Sequence, residues 1–167
     1  MLPLHPVVVH FPIVLAVLLP IFALGALWAI RKGTTPRRAW SVPVAIAVTL
    51  ALSALAAVET GEDQDERVEQ VVPEPPLETH EEAAELFLTL SSGLALLAAA
   101  GLVGGRVGGI ARGLGTAGAV ALVALAVYVG HSGGRLVYEY GAASAYTGAT
   151  SVGANAPNRG SNEDDDR

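Results

Sequence analysis

Four long apolar stretches, separated by short polar ones, set the organisation of this 167-residue chain. They cover residues 7–30, 42–58, 83–103 and 114–130. At a rise of about 1.5 Å per residue, such lengths match a hydrocarbon core of roughly 30 Å. The pattern predicts an all-α polytopic membrane protein, an up-down bundle of four transmembrane helices occupying residues 1–141. Pro6 and Pro12 fall in the first turns of the first span, where a missing N–H matters little. Pro20 lies deeper and is expected to kink it. Trp28 sits near its far end, as interfacial tryptophans do. The last two spans carry rows of small residues at four-residue spacing: Ser92, Leu96, Ala100 and Gly104 on one, Gly115 and Ala119 or Ala117 and Ala121 on the other. Such rows allow close helix approach in lipid.

The connections differ in character. Arg31, Lys32, Arg37 and Arg38 crowd the first, and the glycine-rich turn GGRVGGIARG with Arg106 and Arg112 forms the third. Residues 59–82 form an acidic outer loop with ten carboxylates against Arg67 alone. Gly61 is a plausible stop for the second helix. Pro73, Pro75 and Pro76 argue against continuous helix there. Thr79, with Glu82 three residues on, reads as a capping box opening the third helix. Beyond the fourth span, Tyr138 and Tyr140 belong to an interfacial segment, and residues 142–167 read as a disordered acidic tail. By the positive-inside rule the two basic loops are cytoplasmic, so both termini and the acidic loop face outward. For a bacterium this means a multi-pass inner-membrane protein with periplasmic N- and C-termini. The first span lacks a basic leader and a cleavage site, so it reads as a retained helix.

Composition narrows the chemistry. Apolar residues make up 51% and charged residues 16%, and cysteine is absent. Thiolate metal sites, disulfides and c-type haem attachment are therefore excluded. EDQDE lacks the glycine and terminal glutamate of a calcium loop, and the glycine-rich turn lacks the ending of a phosphate loop. No nucleophile and base pair stands out, so an enzyme with its own substrate is the least expected reading. Nothing points to nucleic acid.

Histidine is the informative residue. With the spans threaded in alternation, His5, His10, His80 and His131 all fall near the outer face, beside the corner Glu59-Thr60-Gly61-Glu62-Asp63. His5 before a proline is at home in solvent, and His80 is comfortable among carboxylates. An ionisable side chain one turn inside a span is by default functional, which favours His10 and, beside Gly130, His131. His10 and His80 start two parallel helices at similar depth, an arrangement in which two imidazoles clasp a haem b between them. His131, with His5, would complete a second site, and Arg135 would pair with a haem propionate. Alternatively, His10, His80 and His131 with Glu59 or Asp63 would hold a transition-metal ion. The residue types admit both occupants.

HPVVVHFPI at the start, ETGEDQ after the second span, THEEAA before the third and HSGGRLVYEYG after the fourth resemble one bacterial family. It is the membrane-protein family known as domain of unknown function 2231, and the resemblance runs from about residue 3 to 141. It implies four-helix inner-membrane proteins, some fused to or encoded beside c-type cytochrome domains, and hence a respiratory setting. This chain carries no such domain, so a c-type cytochrome or other periplasmic electron carrier would be a separate partner. The expected function is a membrane electron-transfer protein of b-type cytochrome character, relaying electrons between that carrier and quinone or a larger complex. The alternatives are a non-redox accessory subunit within a larger membrane complex, or a histidine/carboxylate metal site for transport or sensing. Lipid is the one partner common to all three.

Overall fold

A computed structural model describes residues 4–147. All regular elements in this range are helices: α1 (His5–Val8), α2 (His10–Arg31), α3 (Pro36–Glu62), α4 (Asp65–Val68), α5 (Glu74–Ala100), α6 (Gly105–Tyr138) and α7 (Ser144–Thr147). Four helical stretches are long and apolar enough to cross a membrane: His5–Arg31, Pro36–Glu62, Glu74–Ala100 and Gly105–Tyr138. Around the bundle, α2 packs on α3, α3 on α5, α5 on α6 and α6 back on α2. This is the expected up-down bundle.

The buried positions recur every three or four residues, one stripe per helix. On α3 the stripe is Trp40, Pro43, Ala47, Leu50, Ala54 and Ala57. On α2 it is Pro12, Ala16, Leu19, Pro20, Ala23 and Ala26. Alanine dominates inside, while Val14, Val17, Ile21 and Leu24 of α2 and Val107, Ile110, Leu114 and Val120 of α6 point outward. Small residues inside and large ones outside are what a lipid solvent favours, because close backbone approach drives association there. On α5 the buried row is Phe87, Ser91, Leu94 and Ala98. The row Ser92, Leu96, Ala100 sits one residue further round, and Leu96 is 75% exposed. Gly115 and Ala119 of α6 are buried, whereas Ala117 and Ala121 face out.

The helices are longer than the apolar stretches that predicted them. Glu59 to Glu62 continue α3. Helix α5 begins at Glu74 rather than Thr79, with Pro73 as N-cap and Pro75 and Pro76 in its first turn. Proline lacks only an N–H that has no intrahelical partner there, so the three prolines start this helix rather than break it. Thr79 is therefore no cap; its hydroxyl donates back to the Pro75 carbonyl. The glycine-rich turn is likewise absorbed into α6, which runs unbroken for 34 residues through Gly130–Gly134 to Tyr138. Residues 142–147, expected to open a disordered tail, are partly packed. Ala142 is buried with Val72, Leu77 and Leu136, and Tyr146 donates to Gln64 Oε1 at 2.6 Å. Burial there pushes the Tyr146 phenol upward. The rest of the tail lies outside the described residues.

The basic end is fastened by two polar contacts. Trp40 Nε1 donates to the Ala98 carbonyl at 2.9 Å, across α3 and α5. Arg112, buried in α6, donates through Nη1 to the Gly101 carbonyl and, at 3.5 Å, to that of Val103. These carbonyls end α5, where they have no intrahelical donor and where the helix dipole favours a cation. A buried guanidinium is thus satisfied, and Arg112 acts as a helix cap rather than a loop charge. Gly101 is required beneath it, because a Cβ there would collide with the Trp40 indole.

Two substitutions test this packing, one at a contact and one at an open helical position. Trp40→Phe removes the α3–α5 hydrogen bond while the Ala98 carbonyl keeps the Gly101 N–H, and is expected to lower stability by about 0.5–1.5 kcal/mol. Gly25→Ala, at a helical position with nothing within 4 Å, is expected to raise it by up to about 1 kcal/mol. Thermal unfolding of the full chain in detergent reads both, and opposite signs are required.

Candidate functional site

At the acidic end the four-helix ring opens into two adjoining cavities. The deeper one, about 260 Å³, is walled by apolar side chains including Val9, Pro12, Ile13, Ala54, Phe87, Ala126 and Val129. The outer one, about 330 Å³, has Glu62, Asp65, Glu81 and Glu85 in its wall. His5 and His80 line both and form the boundary between them. Their ring centres lie 6.3 Å apart with the planes at 84°.

Each imidazole is held by its Nδ1. His5 Nδ1 lies 2.8 Å from the Ala57 carbonyl oxygen of α3. A carbonyl can only accept, so His5 carries its proton on Nδ1. His80 Nδ1 lies 2.8 Å from Ser132 Oγ of α6, and Ser132 in turn donates to the Val129 carbonyl at 2.9 Å. With its proton committed to Val129, the serine oxygen accepts from His80, which again places the ring proton on Nδ1. In neutral imidazole the opposite nitrogen, Nε2, then keeps a free lone pair. The hydrogen bonds resolved to named ring atoms are at Nδ1 in both rings, and the Val129 carbonyl also acts on the His80 ring. Fixing one ring nitrogen so that the other presents a lone pair is how proteins prepare histidine as a metal ligand.

Small residues make room for both rings. A Cβ on Gly133 would sit 2.9 Å from His80 Cε1, and one on Gly61 would sit 3.3 Å from the His5 ring. The outer cavity is strongly acidic: Asp65, Glu69 and Glu85 all lie close enough to Glu81 for their charges to act on it. Among the described residues, neither cavity is lined by Lys or Arg.

The expected partner of His80 was His10, and the structure supplies His5 instead. Five residues advance a helix by about 500°, or 140° net, so His5 and His10 cannot share a face. His5 turns inward, whereas His10 is exposed and lines neither cavity. His131 is also exposed and outside both cavities, although its neighbour Ser132 holds His80. Arg135 is exposed, paired with Glu139 at 2.8 Å, and its guanidinium reaches Tyr140 Oη at 3.2 Å. Glu59 and Asp63 are exposed and line neither cavity. Among the described residues no three histidine, aspartate or glutamate side chains converge as a metal-binding group, so the expected three-histidine and carboxylate cluster is not assembled. Ser132, Gly133 and Gly61 were missed as site residues. Their only sequence signal was small residues beside a histidine or a helix end.

A bundle of four membrane-length helices with a polar pocket at one end defines a polytopic α-helical membrane protein. The chain belongs to the family of predicted membrane proteins designated DUF2231, whose profile matches residues 1–145. No curated protein and no solved structure matches it.

Ser132→Ala removes the acceptor that orients His80. The expected result is a mixture of Nδ1–H and Nε2–H forms at His80 in ¹⁵N-histidine NMR, with a loss of about 1 kcal/mol in stability. An unchanged tautomer signal would contradict the hydrogen-bond assignment.

Proposed function

We propose that this is a membrane electron-transfer protein of b-type cytochrome character, with His5 and His80 as the axial ligands of one haem. The observation that carries the reading is the pair of imidazoles, both fixed through Nδ1. The ring centres lie 6.3 Å apart, so His5 and His80 would be the residues to hold one metal centre between them. Haem iron takes neutral imidazole as axial ligand, and an apolar surround tunes its potential. The apolar walls and the glycines beside the rings support a flat hydrophobic group. The protein would sit in the bacterial inner membrane with its acidic end and both termini in the periplasm. The basic residues gathered at the opposite end support this orientation. Single electrons would pass between a basic periplasmic carrier, such as a c-type cytochrome attracted by the acidic rim, and quinone or a larger complex.

A second reading, a transition-metal ion held by the same two histidines for transport or sensing, is favoured by one observation. The outer cavity is acidic and none of the described residues in its wall is Lys or Arg, which suits an entering metal ion better than a haem propionate.

The test is a reduced-minus-oxidised absorption spectrum of the full chain, purified in detergent after expression with haem supplied. Sharp α and Soret bands are expected, abolished in His5→Ala and His80→Ala and retained in His10→Ala and His131→Ala. A flat spectrum overturns the haem reading. In that case elemental analysis decides the second one, which requires about one metal ion per chain, lost in the same two variants.

A further inference from the structure

The end of the bundle opposite the histidines has a charge imbalance that none of the described residues answers. Arg31 and Lys32 end α2, Arg37 and Arg38 start α3, and Arg106 starts α6; all five are exposed. Helix α2 packs between α3 and α6, so the five cations gather on its corner of the bundle. The fourth corner, the end of α5, is served by buried Arg112. No Asp or Glu occurs in residues 1–58 or 86–138, so among the described residues no carboxylate lies at this end of the bundle. The single ion pair among the described residues, Arg135–Glu139, is at the other end.

Below these cations the surface is apolar and open. Leu24 and Trp28 of α2 are 56% and 64% exposed, and Val107 and Ile110 of α6 are 67% and 53% exposed. Lys32 Nζ stands 6.0 Å over the Trp28 ring. That places a cation directly above an interfacial aromatic, within cation–π range. A partner that fits must bring negative charge at headgroup level and hydrocarbon immediately beneath it. Clusters of four or more Lys and Arg at a helix end attract anionic lipid by about 1 kcal/mol per cation.

We infer that the α3–α2–α6 corner is a binding site for anionic phospholipid, with the phosphates on Arg31, Lys32, Arg37, Arg38 and Arg106 and the acyl chains against Leu24, Trp28, Val107 and Ile110. The site is independent of the histidine pair and of whatever occupies it.

The experiment is native mass spectrometry and thermal unfolding of the full chain, purified in detergent and supplied with either phosphatidylglycerol or phosphatidylcholine. Phosphatidylglycerol is expected to stay bound and to raise the Tm, and phosphatidylcholine to do neither. Changing all five cations to Gln is expected to weaken phosphatidylglycerol retention at least about tenfold, given the contribution of each cation. Changing the four arginines to Lys is expected to preserve it. Should the Gln variant fail to fold, a salt titration of the wild type takes its place, and retention must fall as salt rises. Equal retention of the two lipids, or retention insensitive to salt, overturns the inference. Glycerol phosphate without acyl chains is expected to give no Tm shift. An equal shift with it would mean a free-phosphate site and would also overturn the lipid assignment.

Discussion

In a lipid solvent helices gain nothing by hiding apolar surface from one another, so this bundle depends on the closeness its small side chains permit. The alanine stripe of α3 meets those of its neighbours, and the core cluster joins Ala16, Ala47, Ala54, Ala98, Ala119 and Ala126 around Leu19, Leu50, Phe87, Leu94 and Leu122. Close backbones gain dispersion contact at every level. They also bring main-chain carbonyls within reach of side chains from neighbouring helices. Both Trp40 to Ala98 and His5 to Ala57 use that proximity.

The same constraint explains why a cavity exists at one end. Alanine and glycine fill a bundle only where backbones touch. Near Ala54, Ala57, Ala126 and Gly130 the walls stay small while the helices are spanned by whole imidazole rings. His5 links α1 to α3 through the Ala57 carbonyl, and His80 links α5 to α6 through Ser132 beside the Val129 carbonyl. These polar ties replace packing with directional contact, and the space beside them is left open. The opposite end uses a large buried indole and a buried guanidinium, and there the bundle is closed by Ala23, Ala26 and Trp40.

Much of the architecture was legible in the sequence because a lipid core reads out as length. Four apolar stretches separated by charge permit few alternatives. Helix ends were less legible, since apolar runs mark the membrane and not the helix. The acidic turns of α3 and α5 extend beyond the runs, and Pro75 and Pro76 look like breakers until their place in a first turn is known. The gathering of histidines at one end followed from threading alone. Their pairing did not, because it depends on helix rotation. His5 and His10 differ by about 140° around the axis, and only the packing of α1 on α3 selects which one faces inward. Arg112 illustrates the same limit, as a loop cation by sequence and a cap for α5 by rotation.

The two ends therefore solve opposite electrostatic problems with different means. At the basic end each buried polar group meets a main-chain carbonyl, and the remaining cations point outward, where the membrane surface can neutralise them. At the acidic end the carboxylates of Glu62, Asp65, Glu81 and Glu85 surround an opening, and the two histidines behind it are each held through Nδ1. A bundle needing only stability would have no reason to hold two imidazoles at the mouth of an apolar chamber. Their orientation is set by the Ala57 carbonyl and the Ser132 hydroxyl. The acidic mouth, the fixed rings and the glycines that clear space for them form one arrangement at one end of the bundle.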